Sequence, residues 1–215
     1  MRRLQSGFGL FEALLALAIG LMVLAAGSQL FASVYHAWRL QDAALRLQDD
    51  ARLALLRMAQ DLRMAGMFGC LRLAPDDFDD PAARQAYARP LHIGPSSLDL
   101  VVAELPGFAG APDWTLLTDC SSEAQVYSGR RQHTNSLMAI PISRHRYALD
   151  GTTLRLTRRN NPQPLVDHVR EMRVTLVRTP LGERVDLLLT LYEPTLKLEQ
   201  QHALSVALRN TLVFP

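Results

Sequence analysis

The chain has 215 residues, 48% hydrophobic and 20% charged, a length and composition that suit one modest globular domain. Its 23 basic and 21 acidic side chains give a net charge of +2, and the arginines form no basic block, which gives little support to nucleic-acid binding. The two cysteines lie too far apart for a CxxC redox or zinc signature.

The first predicted element is a long apolar helix. Between Phe8 and Tyr35 the only charged residue is Glu12, and about 20 such residues span a bilayer. The preceding Arg2 and Arg3 predict a cytoplasmic N-terminus, with the rest of the chain across the membrane. A cleavable secretory signal peptide is the alternative, and it fits poorly because the apolar stretch leads straight on into further helix.

This continuation is predicted to be an amphipathic helix. No proline occurs before Leu73, and Gly66 and Gly69 supply stop signals, so the sequence predicts one helix of roughly 55 residues. Nothing in its apolar stripe calls for a cofactor, and packing against a globular domain is expected. The apolar residues recur at steps of three and four, at Leu40, Ala44, Leu47, Ala51, Ala54, Leu55, Met58, Leu62 and Ala65.

Glu12 is the unusual residue of the apolar segment. An ionised side chain near the membrane interior costs on the order of 2.5–3.5 kcal/mol on insertion scales, so it normally has a partner. Arg39 is too far along the helix to reach back to it. If the chain were cut between Gly7 and Phe8, the new α-amino group of a neighbouring subunit would neutralise Glu12.

The region after the helix has few residue patterns that are typical of a metal site or a catalytic site. The acidic run from Pro75 to Pro81, with Asp76, Asp77, Asp79 and Asp80, is compatible with calcium binding, but a solvated loop is the favoured interpretation. The six histidines show no HxxxH or HExxH spacing, and the serines lie in no nucleophile-elbow pattern. The stretch "RRQH" at 130–133 is compatible with an anionic partner, with a solvated loop again favoured.

Cys70 follows directly on the predicted helix end, and Cys120 lies in a predicted loop. Outside the cytoplasm a disulfide between them is expected, which would join the middle of the chain to the helix and stabilise the domain. Two unpaired thiols remain the alternative.

The C-terminal half is predicted to form an antiparallel sheet, because β-forming residues alternate with polar ones between turn signals. Asp150-Gly151 is the clearest hairpin and suits a type I′ turn. A long helix packed on an antiparallel sheet is an α+β fold. The predicted strands are Ser97–Leu105, Ser136–Leu149, Thr152–Arg159, His168–Val177, Arg184–Tyr192 and Leu204–Phe214.

Three stretches resemble a known family. "SGFGLFEALLALAIG" resembles the class III signal of type IV pilins and type II secretion pseudopilins, with Gly9 where pilins often carry Thr or Ser. "RLQDDARLALLRMAQDLRMAGMFGC" (46–70) is similar to the helix end of PilW-type minor pilins. "VALRN" (206–210), preceded by "LVDHVREMRV" (165–174), is similar to their C-terminal strands. The resemblance hardly covers residues 75–160.

The resemblance implies a pilin fold and a subunit processed by prepilin peptidase. Cleavage would follow Gly7, Phe8 would become the methylated N-terminus, and Glu12 would recognise the terminus of the neighbouring subunit. It implies a leader at residues 1–7, a membrane and assembly helix at 8–35, its amphipathic continuation at 36–66 and a β-rich periplasmic domain at 67–215.

The function implied is that of a non-enzymatic minor pilin, without cofactor or metal, that helps initiate type IV pilus assembly in the tip complex. The implied partners are other minor pilins, the major pilin and the inner membrane, with a large tip adhesin as a further candidate. The subunit would lie in the inner membrane before assembly and at the pilus tip afterwards. A type II secretion pseudopilin of the J type and a membrane-tethered periplasmic binding module or hydrolase are the alternatives.

Overall fold

A computed structural model of the protein describes residues 9–105, 107–132, 136–180 and 182–210. The architecture is α+β, as predicted: a long N-terminal helix whose C-terminal part packs on antiparallel β-sheet. The chain divides into two compact units, Met1–Leu45 and Arg46–Pro215. The second unit contains both sheets.

Helix α1 spans Leu10–Met64 and is 55 residues long, which confirms the prediction of one long helix. Just beyond it, Gly66 has a φ of +71°, a left-handed conformation that glycine adopts without steric cost. The N–H of Gly66 then donates to the carbonyl of Val101 at 3.2 Å. The chain that leaves the helix is therefore hydrogen-bonded directly to the sheet at Val101.

Seven strands form a large antiparallel sheet within the described residues. A short 3-10 helix at Pro75–Asp77 and helix α2 at Pro81–Ala88 precede them. The strands are β1 Leu91–Ile93, β2 Ser97–Ala103, β3 Trp114–Thr118, β4 Ala124–Ser128, β5 Met138–Asp150, β6 Thr153–Arg158 and β7 Asn161–Val166.

Strand β5 organises the large sheet because three strands pair with it. Strand β2 pairs with residues 142–148. Strand β3 pairs with residues 138–142 and β6 with residues 145–150, so β3 and β6 follow one another along the opposite edge of β5. In the gap between them the N–H of Arg144 donates to the carboxylate of Asp113 at 2.8 Å.

The described residues also contain a small antiparallel sheet, with β9 in its middle. Its strands are β8 Val169–Thr179, β9 Gly182–Glu193 and β10 Leu198–Ala207. Inward side chains of both sheets meet one face of α1 in the main core. From the helix this core takes Leu47, Ala51, Ala54, Leu55, Met58, Ala59 and Leu62, and from the strands Leu98, Leu100, Tyr147, Leu154, Leu187 and Leu189 among others.

The opposite face of the large sheet buries an aromatic cluster under α2. The ring of Tyr87 stacks on Phe68 with centroids 4.1 Å apart and meets Trp114 edge-on at 5.9 Å. Strand β2 contributes to both layers, since Leu100 belongs to the main core and Val101 to the aromatic cluster. This alternation is what a strand buried on both faces requires.

The predicted strands are confirmed in outline, with two corrections. Strand β10 begins at Leu198 and ends at Ala207, earlier than the predicted 204–214, and residues 211–215 lie outside the described residues. Helix α2 and strands β1, β3, β4 and β7 were not predicted. Strand β7 contains Pro162 and Pro164. It tolerates them because, among the described strands, it pairs only with β6, so its other edge needs no N–H donor from them.

The predicted hairpin exists, but its turn differs. Asp150 pairs with Thr153, so Gly151 is the first central residue, and its φ of +61° fits a type II′ turn instead of type I′. A type I′ turn occurs at the next connection, where Arg159 and Asn160 have φ values of +43° and +64°.

Candidate functional site

The N-terminal part of α1 has an apolar, exposed surface. Its most apolar 18-residue window has a mean hydropathy of 2.3, and the helix is long and apolar enough to cross a membrane. An exposed apolar surface of this extent is typical of contact with lipid or protein, so it favours a membrane anchor. The exposed large side chains include Leu10, Phe11, Leu17, Met22, Leu24, Phe31 and Trp38.

Glu12 lies in the first turn of this apolar segment and is exposed. Its N–H donates to the carbonyl of Gly9 at 3.0 Å. A carboxylate in a first turn is stabilised by the positive end of the helix dipole. Gly7 and Phe8, the predicted processing residues, lie outside the described residues, and their role stays a prediction.

A buried polar network lies in the second unit, between α1 and the large sheet. Oδ2 of Asp61 lies 2.6 Å from Nδ1 of His145 and accepts a hydrogen bond from the hydroxyl of Tyr147 at 2.6 Å. Nε2 of His145 lies 2.9 Å from Oε1 of Glu104, and Arg57 reaches the other oxygen of Asp61 at 3.4 Å. We call these five residues the Asp61–His145 network.

The charges of this network favour a protonated histidine. Burial opposes the imidazolium, but the hydrogen bonds to Asp61 and Glu104 and their negative charges outweigh it and raise the pKa of His145 to about 9. Burial, and then the charge of Asp61, raises the pKa of the Tyr147 hydroxyl. The buried imidazole of His145 is therefore held in its protonated form between the side chains of Asp61 and Glu104.

The geometry of the network makes it a structural element. In an acid–histidine pair that serves catalysis, the second imidazole nitrogen faces a nucleophile. Here that nitrogen faces the carboxylate of Glu104, and the buried hydroxyl of nearby Ser143 has no hydrogen-bond partner among the described residues. The network connects one face of α1 to β5 and to the segment after β2, and so fixes the position of the helix on the sheet.

The two cysteines form a disulfide, as predicted. Cys70 and Cys120 have Cα atoms 5.1 Å apart and close a loop over 50 positions of sequence. The loop at Cys120 is ordered by Asp119, whose carboxylate accepts N–H groups of Glu123, Ser121 and Ser122, which hold its pKa well below its usual range. The segment after the helix is thereby fastened to the β3–β4 connection.

Asn210, the last residue of the "VALRN" stretch, caps the C-terminal end of α1. Its side-chain amide donates to the carbonyl of Ala65 at 2.8 Å. Helix ends leave carbonyls without intrahelical partners, so this bond satisfies an acceptor that otherwise needs water. The chain segment after β10 is thereby bound to the helix end.

Asp80, the last carboxylate of the acidic run, stabilises the start of helix α2. The carboxylate of Asp80 caps α2 by accepting the N–H of Ala82 at 2.8 Å and also accepts Trp114 Nε1 at 3.3 Å. The N–H of Ala82 first, then the Trp114 bond, lowers the pKa of Asp80. Within the described residues no group of three or more His, Cys, Asp or Glu side chains is placed to hold a metal ion.

The "RRQH" stretch is only partly described, since His133 lies outside the described residues. The guanidinium of Arg130 donates to the carbonyls of Phe108 and Gly110, and Arg131 lies over the ring of Tyr127 at 5.2 Å. Both arginines therefore have contacts within the domain.

The Asp61–His145 network was not identified from the sequence. A signal was available, because Asp61 falls on the helix face defined by Met58, Leu62 and Ala65. A carboxylate on a buried stripe requires a partner. His145 and Tyr147, two residues apart in β5, share the inward face with it, but their pairing with a helix residue 84 positions away depends on the tertiary fold.

Comparison with known proteins does not assign the chain to a family. No protein-family model matches the chain, and neither a curated protein nor a solved structure gives a significant match.

Proposed function

We propose that this protein is a membrane-anchored structural subunit of the type IV pilin superfamily, a minor pilin of the PilW type that helps to initiate pilus assembly. In this proposal prepilin peptidase cleaves after Gly7, Phe8 becomes the methylated N-terminus, and Glu12 binds the terminus of a neighbouring subunit. The β-rich domain lies in the periplasm before assembly and at the pilus tip afterwards.

The observation that carries the proposal is the position of Glu12. It is the only charged residue between Phe8 and Tyr35, and it lies in the first turn of an exposed apolar helix. A carboxylate at this position is expensive in lipid unless a cation meets it. An amine exposed by cleavage after Gly7 would supply that cation from another subunit. The helix, the α+β fold and the disulfide are compatible with this role.

The runner-up is a type II secretion pseudopilin of the J type, for which the same signal and helix would serve. A membrane-tethered periplasmic binding module is the more distant alternative, and it gives Glu12 no role. The "MAGMFGC" and "VALRN" stretches favour the pilus assignment.

The first test is intact mass spectrometry of the protein extracted from membranes without reductant. The expected species starts at Phe8, carries one added methyl group and lacks the two hydrogens removed by the Cys70–Cys120 disulfide. A chain that starts at Met1 would contradict the proposal and favour the tethered module.

Two variants test the processing residues. Gly7→Val should leave the leader attached. Gly9→Ala, at a position where a Cβ meets no atom of this chain within 4 Å, should not disturb the helix and is expected to be processed. Equal processing of both variants would contradict the assignment of the cleavage site.

Glu12→Gln tests assembly separately from cleavage. This variant should be processed yet be missing from the sheared pilus fraction. The exposed helix substitution Asp50→Asn is the control and should be incorporated normally. A deletion strain that keeps its pili but loses enzyme secretion would favour the pseudopilin instead.

A further inference from the structure

A strongly basic groove lies on the second unit, beside the Asp61–His145 network. It has a volume of about 1140 Å³. Its charged lining consists of Arg89, Arg144, Arg146, Arg158 and Arg159 with Asp99 and Asp113, together with His92 and the network's His145. We call it the arginine groove.

The basic excess of the chain is concentrated in this groove. The chain has 23 basic and 21 acidic side chains, and five of the basic and two of the acidic ones line the groove. The rest of the chain has 18 basic and 19 acidic side chains, so it carries no basic excess. The arginines come from the end of α2, from β5, from β6 and from the β6–β7 turn. They therefore form no block in the sequence, and only the sheet brings them together.

Both aspartates of the groove are already paired. Asp99 lies 3.7 Å from Arg146, and Asp113 lies 3.7 Å from Arg159 while it accepts the N–H of Arg144. The internal carboxylates thus neutralise two of the five arginines.

Two arginines of the groove have capacity to bind a ligand. Among the described residues, the exposed side chain of Arg89 forms no ion pair or side-chain hydrogen bond. Nε of Arg158 is buried and has no hydrogen-bond partner. Because Nε is covered, an acceptor on a ligand would meet the outer nitrogens of the Arg158 guanidinium, for which no ion pair or hydrogen bond is found among the described residues.

We propose that the arginine groove binds an acidic peptide segment of another protein. The planar fork of a guanidinium matches a carboxylate with two parallel hydrogen bonds. The amide side chains of Asn160, Asn161 and Gln163 also line the groove and offer both donors and acceptors for a peptide backbone. This inference goes beyond the proposed function and does not depend on it.

The groove suits a peptide better than a nucleic acid. Single strands bind by stacking successive bases on several exposed aromatic rings, whereas Phe108, which is half-buried, is the one Phe, Tyr or Trp among the described residues that line the groove.

Strand addition at the neighbouring edge is disfavoured. Pro162 and Pro164 in β7 have no N–H to donate to an added strand. Recognition therefore depends on side chains, and above all on the arginines.

The test measures binding of a fluorescent oligo-glutamate peptide to the full chain in detergent micelles. Oligo-glutamine of equal length is the uncharged control, and a DNA oligonucleotide of equal charge is the competing polyanion. Oligo-glutamate should bind, more weakly as salt increases. Arg89→Gln and Arg158→Gln should each weaken binding about tenfold or more.

Matched variants separate the groove from overall charge. Arg173→Gln and Arg178→Gln remove exposed arginines of β8 and should leave binding unchanged, whereas Asp99→Asn should strengthen it. Unchanged melting temperatures would show that the variants remain folded.

Three outcomes would overturn the proposal. The first is a lack of oligo-glutamate binding, and the second is an equal loss of binding in the β8 variants. The third is tighter binding of the oligonucleotide through the same Arg89 and Arg158, which would assign the groove to nucleic acid.

Discussion

Oδ2 of Asp61, in the helix, lies 2.6 Å from Nδ1 of His145, in strand β5, and both side chains are almost fully buried. Most contacts between α1 and the sheets are apolar and would tolerate a small displacement of the helix. A charged hydrogen bond is directional, so this pair selects one position of the helix on the sheet. Tyr147 and Glu104 complete the same polar cluster.

Removal of the Asp61 carboxylate should destabilise the protein strongly. Asp61→Ala leaves the charge of His145 and the hydroxyl of Tyr147 without their acceptor, and a broken buried pair costs about 3–5 kcal/mol. Urea unfolding of the detergent-solubilised chain measures this loss. Asp50→Asn, on the exposed side of α1, should change the unfolding free energy by less than about 0.5 kcal/mol. Similar midpoints for the two variants would show that the network contributes little.

Stability should fall as the pH rises from about 6.5 to about 9. The pKa of His145 is raised from 6.5 to about 9, so the folded protein holds a proton there that the unfolded chain releases. The contribution is complete below about pH 6.5 and is lost as the pH passes the folded-state pKa. It amounts to about 3 kcal/mol.

Unfolding free energies measured across this pH range check the effect. His145→Gln should flatten the slope, whereas His202→Gln, at a half-buried position in β10, should leave it as in the parent. If the unfolding free energy of His145→Gln depends on pH as steeply as that of the parent, the pH dependence belongs to other groups.

Loss of the disulfide should destabilise the domain by about 2–4 kcal/mol, mainly because the unfolded chain regains freedom over the 50-position loop. The measurement is chemical denaturation with and without reductant. The double variant Cys70→Ser/Cys120→Ser should match the reduced parent and show no response to reductant. A reductant effect in that variant would mean that the assay reports something other than this bond.

Asn210→Ala should cost about 1 kcal/mol, because the carbonyl of Ala65 loses the amide that caps it. Asn210→Asp should cost more, since its carboxylate would face a carbonyl at the negative end of the helix dipole. Thermal unfolding ranks the two variants, and Gln201→Ala, at an exposed position of β10, is the control. The reverse ranking, with the Asp variant the more stable, would exclude a capping role.

Local patterns predicted the elements whose signals are strong. The proline-free stretch that ends near Gly66 predicted α1 almost to its length, and alternation predicted β6, β8 and β9. Strand β7 was missed because Pro162 and Pro164 are tolerated only at a sheet edge, a position that depends on its neighbours. The turn at Gly151 was assigned the wrong type, since the strand register and not the Asp-Gly pair sets the central residues.

The sequence by itself determined the apolar segment at 8–35 with its single carboxylate, Glu12, and the α+β class, because each depends on composition or short-range periodicity. It offered a single possible disulfide, and the structure shows that Cys70 and Cys120 form it. Only the tertiary structure decided which charges meet. Asp61 and His145 lie 84 positions apart, and the groove arginines come from separate strands and turns. Electrostatic interactions act through space, so a sheet that folds distant segments together creates polar networks and basic grooves that no local pattern records.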